Sequence, residues 1–286
     1  MNTYLVPTDF SDNANNAIEY AAEIAHATGR RLLLLHVHTP AVSPFAVTGP
    51  LISEDVEAAR QYAMEKLDVI RQTLNDEYPE MVCHTLVTIG DVVDQVVTVA
   101  ETKNAELIIM GTYGAKNLET FLFGTNTSLV IERANCPVLS VPFDVPFRVP
   151  YKMLFATNFA LHDLEGVTQM AAVARAFNAT LIIAHVMTDD NARDHEKELM
   201  DAFLEEVRRM TDYPNINNIL ISDKTVNEGL DAVIAETKAD MIALSMQKRG
   251  IFEQFFNPGI ARKFASHSVI PLLAFHGHEE LDHAHH

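Results

Sequence analysis

The chain has 286 residues and carries 21 Lys and Arg against 39 Asp and Glu, a formal net charge of −18. That length accommodates two domains with sizeable cores, and the acidic balance disfavours non-specific binding to nucleic acid or an anionic membrane, which needs clustered Lys and Arg. Its two cysteines, Cys83 and Cys136, fit neither a disulfide framework nor a zinc spacing, and without a signal-peptide pattern or a run of about 18 apolar residues the expectation is a cytoplasmic protein.

Tyr4-Leu5-Val6 is a short apolar strand closed by Pro7-Thr8-Asp9. Ser11 or Asp12 is placed to cap a helix whose apolar positions, from Ala14 to Ala25, recur at helical spacing up to Gly29. Leu32 to Val37 is a strand buried on both faces, of the kind a parallel sheet requires. Residues 38 to 52, with three prolines and a glycine, are expected to form a loop, and a long helix is expected from near Ser53 to about Asn75. A third strand at Val82 to Val87, a helix from Asp91 to Lys103, a fourth strand at Leu107 to Met110, a helix ending near Ala134 and a fifth strand at 137–141 complete the pattern.

Strands alternating with helices demand parallel pairing and right-handed crossovers, with helices on both faces of the sheet. With the strands in the order 3-2-1-4-5, the chain reverses direction between strands one and four. Ligands of such sheets bind at that switch point, beyond the carboxyl ends of the strands. The loops that meet there are Pro7–Asp9 and the one after Met110.

The second of these loops carries glycines at Gly111, Gly114 and Gly124, the last followed by Thr125, Asn126 and Thr127 at the start of a helix. Missing Cβ atoms let main-chain N–H groups face a ligand, and the positive end of the helix dipole favours an anion. Neither G-x-x-x-x-G-K-[ST] nor G-x-G-x-x-G is present, which excludes a P-loop and a dinucleotide site of the Rossmann type.

The pattern then begins again. A proline-rich segment, Val141 to Pro150, reads as a linker. Beyond it Leu5-Val6-Pro7-Thr8-Asp9-Phe10 recurs as Leu154-Phe155-Ala156-Thr157-Asn158-Phe159, and His36-Val37 as His185-Val186, both shifted by 149. Ala100 to Lys103 recurs as Ala235 to Lys238, shifted by 135, so the second copy is shorter by about 15 residues. The domains expected are 1–143 and 150–277, each a five-stranded doubly wound α/β sheet, with 278–286 a disordered tail rich in His and acidic residues. A shift of 134 places Ser245, Lys248 and Pro258 opposite Gly111, Gly114 and Gly124. Asn158 replaces Asp9 and Ala156 replaces Pro7, so the second copy is expected to have lost the loop's function.

Gly111, two residues, Gly114, nine residues, then Gly124-Thr125 resembles the nucleotide-binding signature of the universal stress protein family, in its ATP-binding branch. As a tandem pair of such domains, the resemblance covers nearly the whole chain, with its motif confined to the first half. It implies bound ATP, with AMP or ADP as alternatives, and Mg held chiefly by phosphate oxygens and water. Pro7 and Asp9 would end the first strand beside adenine and ribose; the plain alternative for Asp9 is a helix-cap acid. The Val37 main chain would read the adenine edge and Met110 would flank base or ribose. Gly111, Gly114, Gly124, Thr125, Asn126 and Thr127 would hold ribose and phosphates.

The resemblance also implies pairing of the fifth strands, 137–141 and 270–275, as an intramolecular pseudo-dimer, leaving open a homodimer of whole chains. The function it implies is a regulatory, ATP-binding stress-response protein acting through an unknown protein partner. Two alternatives stand beside it: a nucleotide-free tandem scaffold, and a slow ATPase of the adenine-nucleotide α-hydrolase type. The latter wants a serine-glycine-glycine loop after the first strand, which Thr8-Asp9-Phe10-Ser11 lacks. His36 and His185, at the ends of buried strands with no nucleophile nearby, read as structural hydrogen-bonders.

Overall fold

The apolar runs become strands. In the computed structural model, which describes residues 2–40, 50–112, 125–143, 145–246 and 270–276, the chain divides into two units, Met1–Val149 and Pro150–His286. The first unit runs β1 (Thr3–Pro7), α1 (Asp12–Thr28), β2 (Arg31–His38), α2 (Pro50–Glu77), β3 (Cys83–Ile89), α3 (Val92–Thr102), β4 (Ala105–Gly111), α4 (Thr125–Arg133) and β5 (Val138–Val141). Its strands pair in parallel in the order β3-β2-β1-β4-β5.

The second unit runs β6 (Lys152–Ala156), α5 (Leu161–Phe177), β7 (Thr180–Met187), a 3-10 turn (Asp190–Ala192), α6 (Arg193–Met210), β8 (Ile216–Ser222), α7 (Val226–Thr237), β9 (Met241–Met246) and β10 (Leu272–His276). Its order, β8-β7-β6-β9-β10, repeats that of the first unit, again all parallel. Both are doubly wound α/β sheets with helices on both faces.

Continuous hydrophobicity along β2 is explained by burial from both sides: Leu32, Leu34 and Leu35 are fully buried, as are Leu5 on β1 and Ile108 and Ile109 on β4. Each such side chain contributes about 1.5–3 kcal/mol on leaving water. The ends of α1 are set by single residues. Ser11 accepts a hydrogen bond from the Ala14 amide, and Gly29 closes the helix at φ 65°. In α5 the left-handed closing position is taken by Asn178, the residue that tolerates it best after glycine.

Two boundaries differ from the sequence reading. The α2 helix starts at Pro50 instead of near Ser53 and runs to Glu77. Proline suits the first helical position, because its fixed φ is helical and its missing N–H would have had no partner there. Strand β2 reaches His38, inside the stretch expected to be loop. The proline-rich segment is also less free than a linker composition suggests. The Asn16 amide donates to the carbonyls of Pro142 and Val145, both at 3.0 Å, and the Tyr20 hydroxyl donates to that of Pro146. The shortening of the second unit falls where the repeat placed it, between β7 and α7, and α6 has 18 residues where α2 has 28.

Candidate functional site

Strand β1 stops at Pro7, opposite Leu35, while β2 continues three residues further to His38. The Leu35 carbonyl accepts from Thr8 N at 2.8 Å, so Leu35 turns its main-chain groups toward β1. Val37, two residues on, turns its N–H and C=O the same way, but among the described residues no strand lies across from it. Among those residues this leaves a donor and an acceptor without a partner at the mouth of a cleft formed by the ends of β1, β2 and β4 and the starts of α1, α3 and α4. It lies between β1 and β4, where the strand order reverses.

The cleft is lined by Pro7, Asp9, Val37, Met110, Gly111, Asn126 and Thr127, all named from the sequence. Thr125 is the first residue of α4 and exposed, outside that lining. Gly114 and Gly124 lie outside the described residues, as do Lys248 and Pro258 of the second unit and the tail 278–286. Thr8, Asn13, Ala14 and Val92 also line the cleft and were not singled out in the sequence. Thr8 could have been found from its recurrence as Thr157; nothing in the sequence marks the others.

Each lining residue is held by identifiable contacts. Asp9 Oδ1 accepts from both the amide and the hydroxyl of Ser11, at 3.0 and 2.6 Å, which fixes the turn into α1. Asp9 thus serves the helix start through one oxygen, and Oδ2 has no partner among the described residues. The Thr127 hydroxyl donates to the Gly111 carbonyl at 3.0 Å, tying the start of α4 to the end of β4. No acidic residue stands in the first turn of α4, so the partial positive charge of its unsatisfied N–H groups is not neutralised from within. Gly111 has a neighbour that its loop position does not reveal: a Cβ there would lie 2.7 Å from the Asn13 carbonyl oxygen. The close approach that demands glycine at this point is that of α1.

The Thr8-Asp9-Phe10 turn is braced from behind. His36 Nδ1 lies 2.9 Å from the Thr8 carbonyl, and the imidazole stacks on Phe10 with ring centroids 4.5 Å apart. Phe10 takes φ 65°, unusual for an aromatic residue, and its amide donates to the Thr8 hydroxyl oxygen. The second unit builds the same device from Thr157, Phe159 and His185, with Phe159 at φ 64°. Both histidines thus hydrogen-bond the main chain of the turn whose phenylalanine they stack on. Burial pushes the Cys83 and Cys136 thiols up to about 11, which keeps them protonated and unreactive at neutral pH. Among the described residues no His, Cys, Asp and Glu cluster could hold a metal ion, and no helix is long and apolar enough to cross a membrane.

The family model described as the universal stress protein family matches residues 1–142. A universal stress protein of Methanocaldococcus jannaschii is 34% identical over 142 residues, spanning 48% of this chain and 79% of that protein. The chain belongs to the universal stress protein family. Another member, from Thermus aquaticus, is 30% identical over 139 residues, covering 49% of this chain and 97% of its own length. Beyond the first unit the likeness is one of fold. The crystal structure of a universal stress protein from Archaeoglobus fulgidus superposes with a TM-score of 0.75 at 18% identity, covering 98% of this chain and 97% of that one. As a universal stress protein, this chain falls among proteins named for the stress response.

Proposed function

We propose that the first unit of this universal stress protein binds an adenine nucleotide, ATP in the first instance, and acts as a nucleotide-dependent regulator. The observation that carries this is the pairing of two unlike ends in one cleft. At one end the free N–H and C=O of Val37 match the adjacent donor and acceptor on an adenine edge. At the other, the unneutralised N-terminus of α4 suits phosphate. Asp9, which lines the same cleft, offers Oδ2 as an acceptor for ribose hydroxyls. Gly114 and Gly124 would complete the phosphate end, and any Mg would be held by phosphate oxygens and water.

No Lys or Arg lines the described part of the cleft, so no cation is supplied there for the charge that develops during phosphoryl transfer. The nucleotide is accordingly hydrolysed slowly at most, and it regulates an interaction with a protein partner. The second unit, with Lys248 and Pro258 in place of two loop glycines, does not bind nucleotide in the same way.

Calorimetric titration of ATP into the full chain and into Gly114→Lys tests this reading. The variant copies the second unit's residue into the first and is expected to weaken binding at least about 100-fold, or about 2.7 kcal/mol, with an unchanged circular dichroism spectrum. Equal affinity in the two proteins would remove the loop from the site.

A further inference from the structure

The two units superpose in sequence at a constant offset through β1, α1 and β2, against β6, α5 and β7. Within that frame one difference sits at the switch point. Where the first unit has Ala14, in the first turn of α1, the second has Asp163 in the first turn of α5. Asp163 is only 2% exposed. A carboxylate withdrawn from water that far must find donors. Its Oδ2 accepts from the Thr157 hydroxyl at 2.8 Å and from the Asn158 amide at 3.1 Å, while Oδ1 lies 3.6 Å from His162 Nε2.

The counterparts of those two donors in the first unit are the Thr8 hydroxyl and the Asp9 amide. Neither donates to any acceptor among the described residues, and Thr8, Asp9 and Ala14 all line the cleft. The second unit has thus filled from within what the first leaves open. A second feature closes the neighbouring space. Gly229 of α7 lies so near β7 that a Cβ on it would be 2.4 Å from Val186 Cγ1, and Val186 is 7% exposed, whereas its counterpart Val37 is partly exposed in the cleft. Ser245, opposite Gly111, adds a buried side chain at the end of β9.

We infer that Asp163 is a built-in ligand for the second unit, and that the side chain at this helical position, Ala14 or Asp163, decides whether a unit accepts an external ligand. The part that concerns Ala14 rests on the nucleotide reading above; the part that concerns Asp163 does not. Removing the carboxylate opens a site for a small carboxylate, and the contact of α7 with Val186 keeps that site too small for a nucleotide.

Asp163→Ala in the full chain leaves the Thr157 hydroxyl and the Asn158 amide without an acceptor. Millimolar sodium formate should raise its thermal midpoint by about 2 °C or more beyond the effect of sodium chloride at equal ionic strength. Wild type and Asp163→Asn, which keeps an acceptor oxygen in place, should show no such difference. An equal formate response in all three proteins would overturn the inference. The reciprocal variant, Ala14→Asp, should slow hydrogen exchange of the Asp9 amide about tenfold and weaken ATP binding about 100-fold. Unchanged Asp9 exchange would overturn the inference even should Asp163→Ala fail to fold. If wild type binds no ATP, the nucleotide reading falls, while the formate and exchange measurements still decide the role of Asp163.

Discussion

Gly111→Val is expected to destabilise the protein by about 2–3 kcal/mol, because an added side chain in a filled space forces main-chain shifts, and to abolish measurable ATP binding. The first contact of its Cβ would be the Asn13 carbonyl oxygen at 2.7 Å, a main-chain atom of α1 that no side-chain rotation can move away. The Gly111 carbonyl also receives the Thr127 hydroxyl, so any shift passes to the start of α4. The start of α1 and the start of α4 would both move, and both line the cleft. Misplacement of about 1 Å is enough to cost two orders of magnitude where geometry is demanding. Urea unfolding and calorimetry check the two effects separately. A variant with wild-type stability would show that α1 can give way, and retained ATP affinity would show that the cleft does not depend on this contact.

Phe155→Ala carries the larger stability effect, about 3–5 kcal/mol, in line with buried aromatic-to-alanine changes elsewhere. Phe155 is fully buried near the carboxyl end of β6. Its ring lies 3.0 Å from where a Cβ on Gly166 would be, and its centroid is 5.9 Å from that of Phe275. Gly166 leaves no side chain to fill the space that truncation would open. The vacancy therefore persists, which is what raises the cost above simple transfer. ATP affinity of the first unit should stay within about twofold, as expected for a cleft that shares no lining residue with the changed site. Equilibrium unfolding and calorimetry on the same sample measure both. A loss of only about 1 kcal/mol would mean that β6 and α5 collapse around the gap.

Much of the architecture could be read from residue order because local and global preferences agree. The Leu32–Leu35 run, short and following Gly29, reads as a strand covered on both sides, and Ser11 and Gly29 bracket α1 by chemistry that acts within a few residues. The repeat was visible because Thr157, Phe159 and His185 must rebuild the same brace that Thr8, Phe10 and His36 make. What escaped depends on register and on approach. Val37 was named through the family resemblance, but the physical reason for its place, β1 ending before β2, is known only once Pro7 is paired with Leu35. Asn13 enters the site because α1 lies against Gly111, a tertiary contact with no local signature.

Ala14 and Asp163 were hidden for a different reason. Attention to the loop glycines compares Gly114 with Lys248, whereas the described difference between the units lies at the start of their first helices. An aspartate there reads as an ordinary first-turn acid that complements the helix dipole. Only its burial, and the two donors it has claimed from the end of β6, distinguish it from one.

We propose that one unit of the chain is open to an adenine nucleotide and the other is closed by its own side chains. A crystal structure of the full chain grown with ATP tests it most directly. One nucleotide per chain is expected, its base against the Val37 main chain and its phosphates at the start of α4, with Asp163 unmoved between Thr157 and Asn158. Nucleotide bound in the second unit, or a first-unit cleft left empty at saturating ATP, would contradict it.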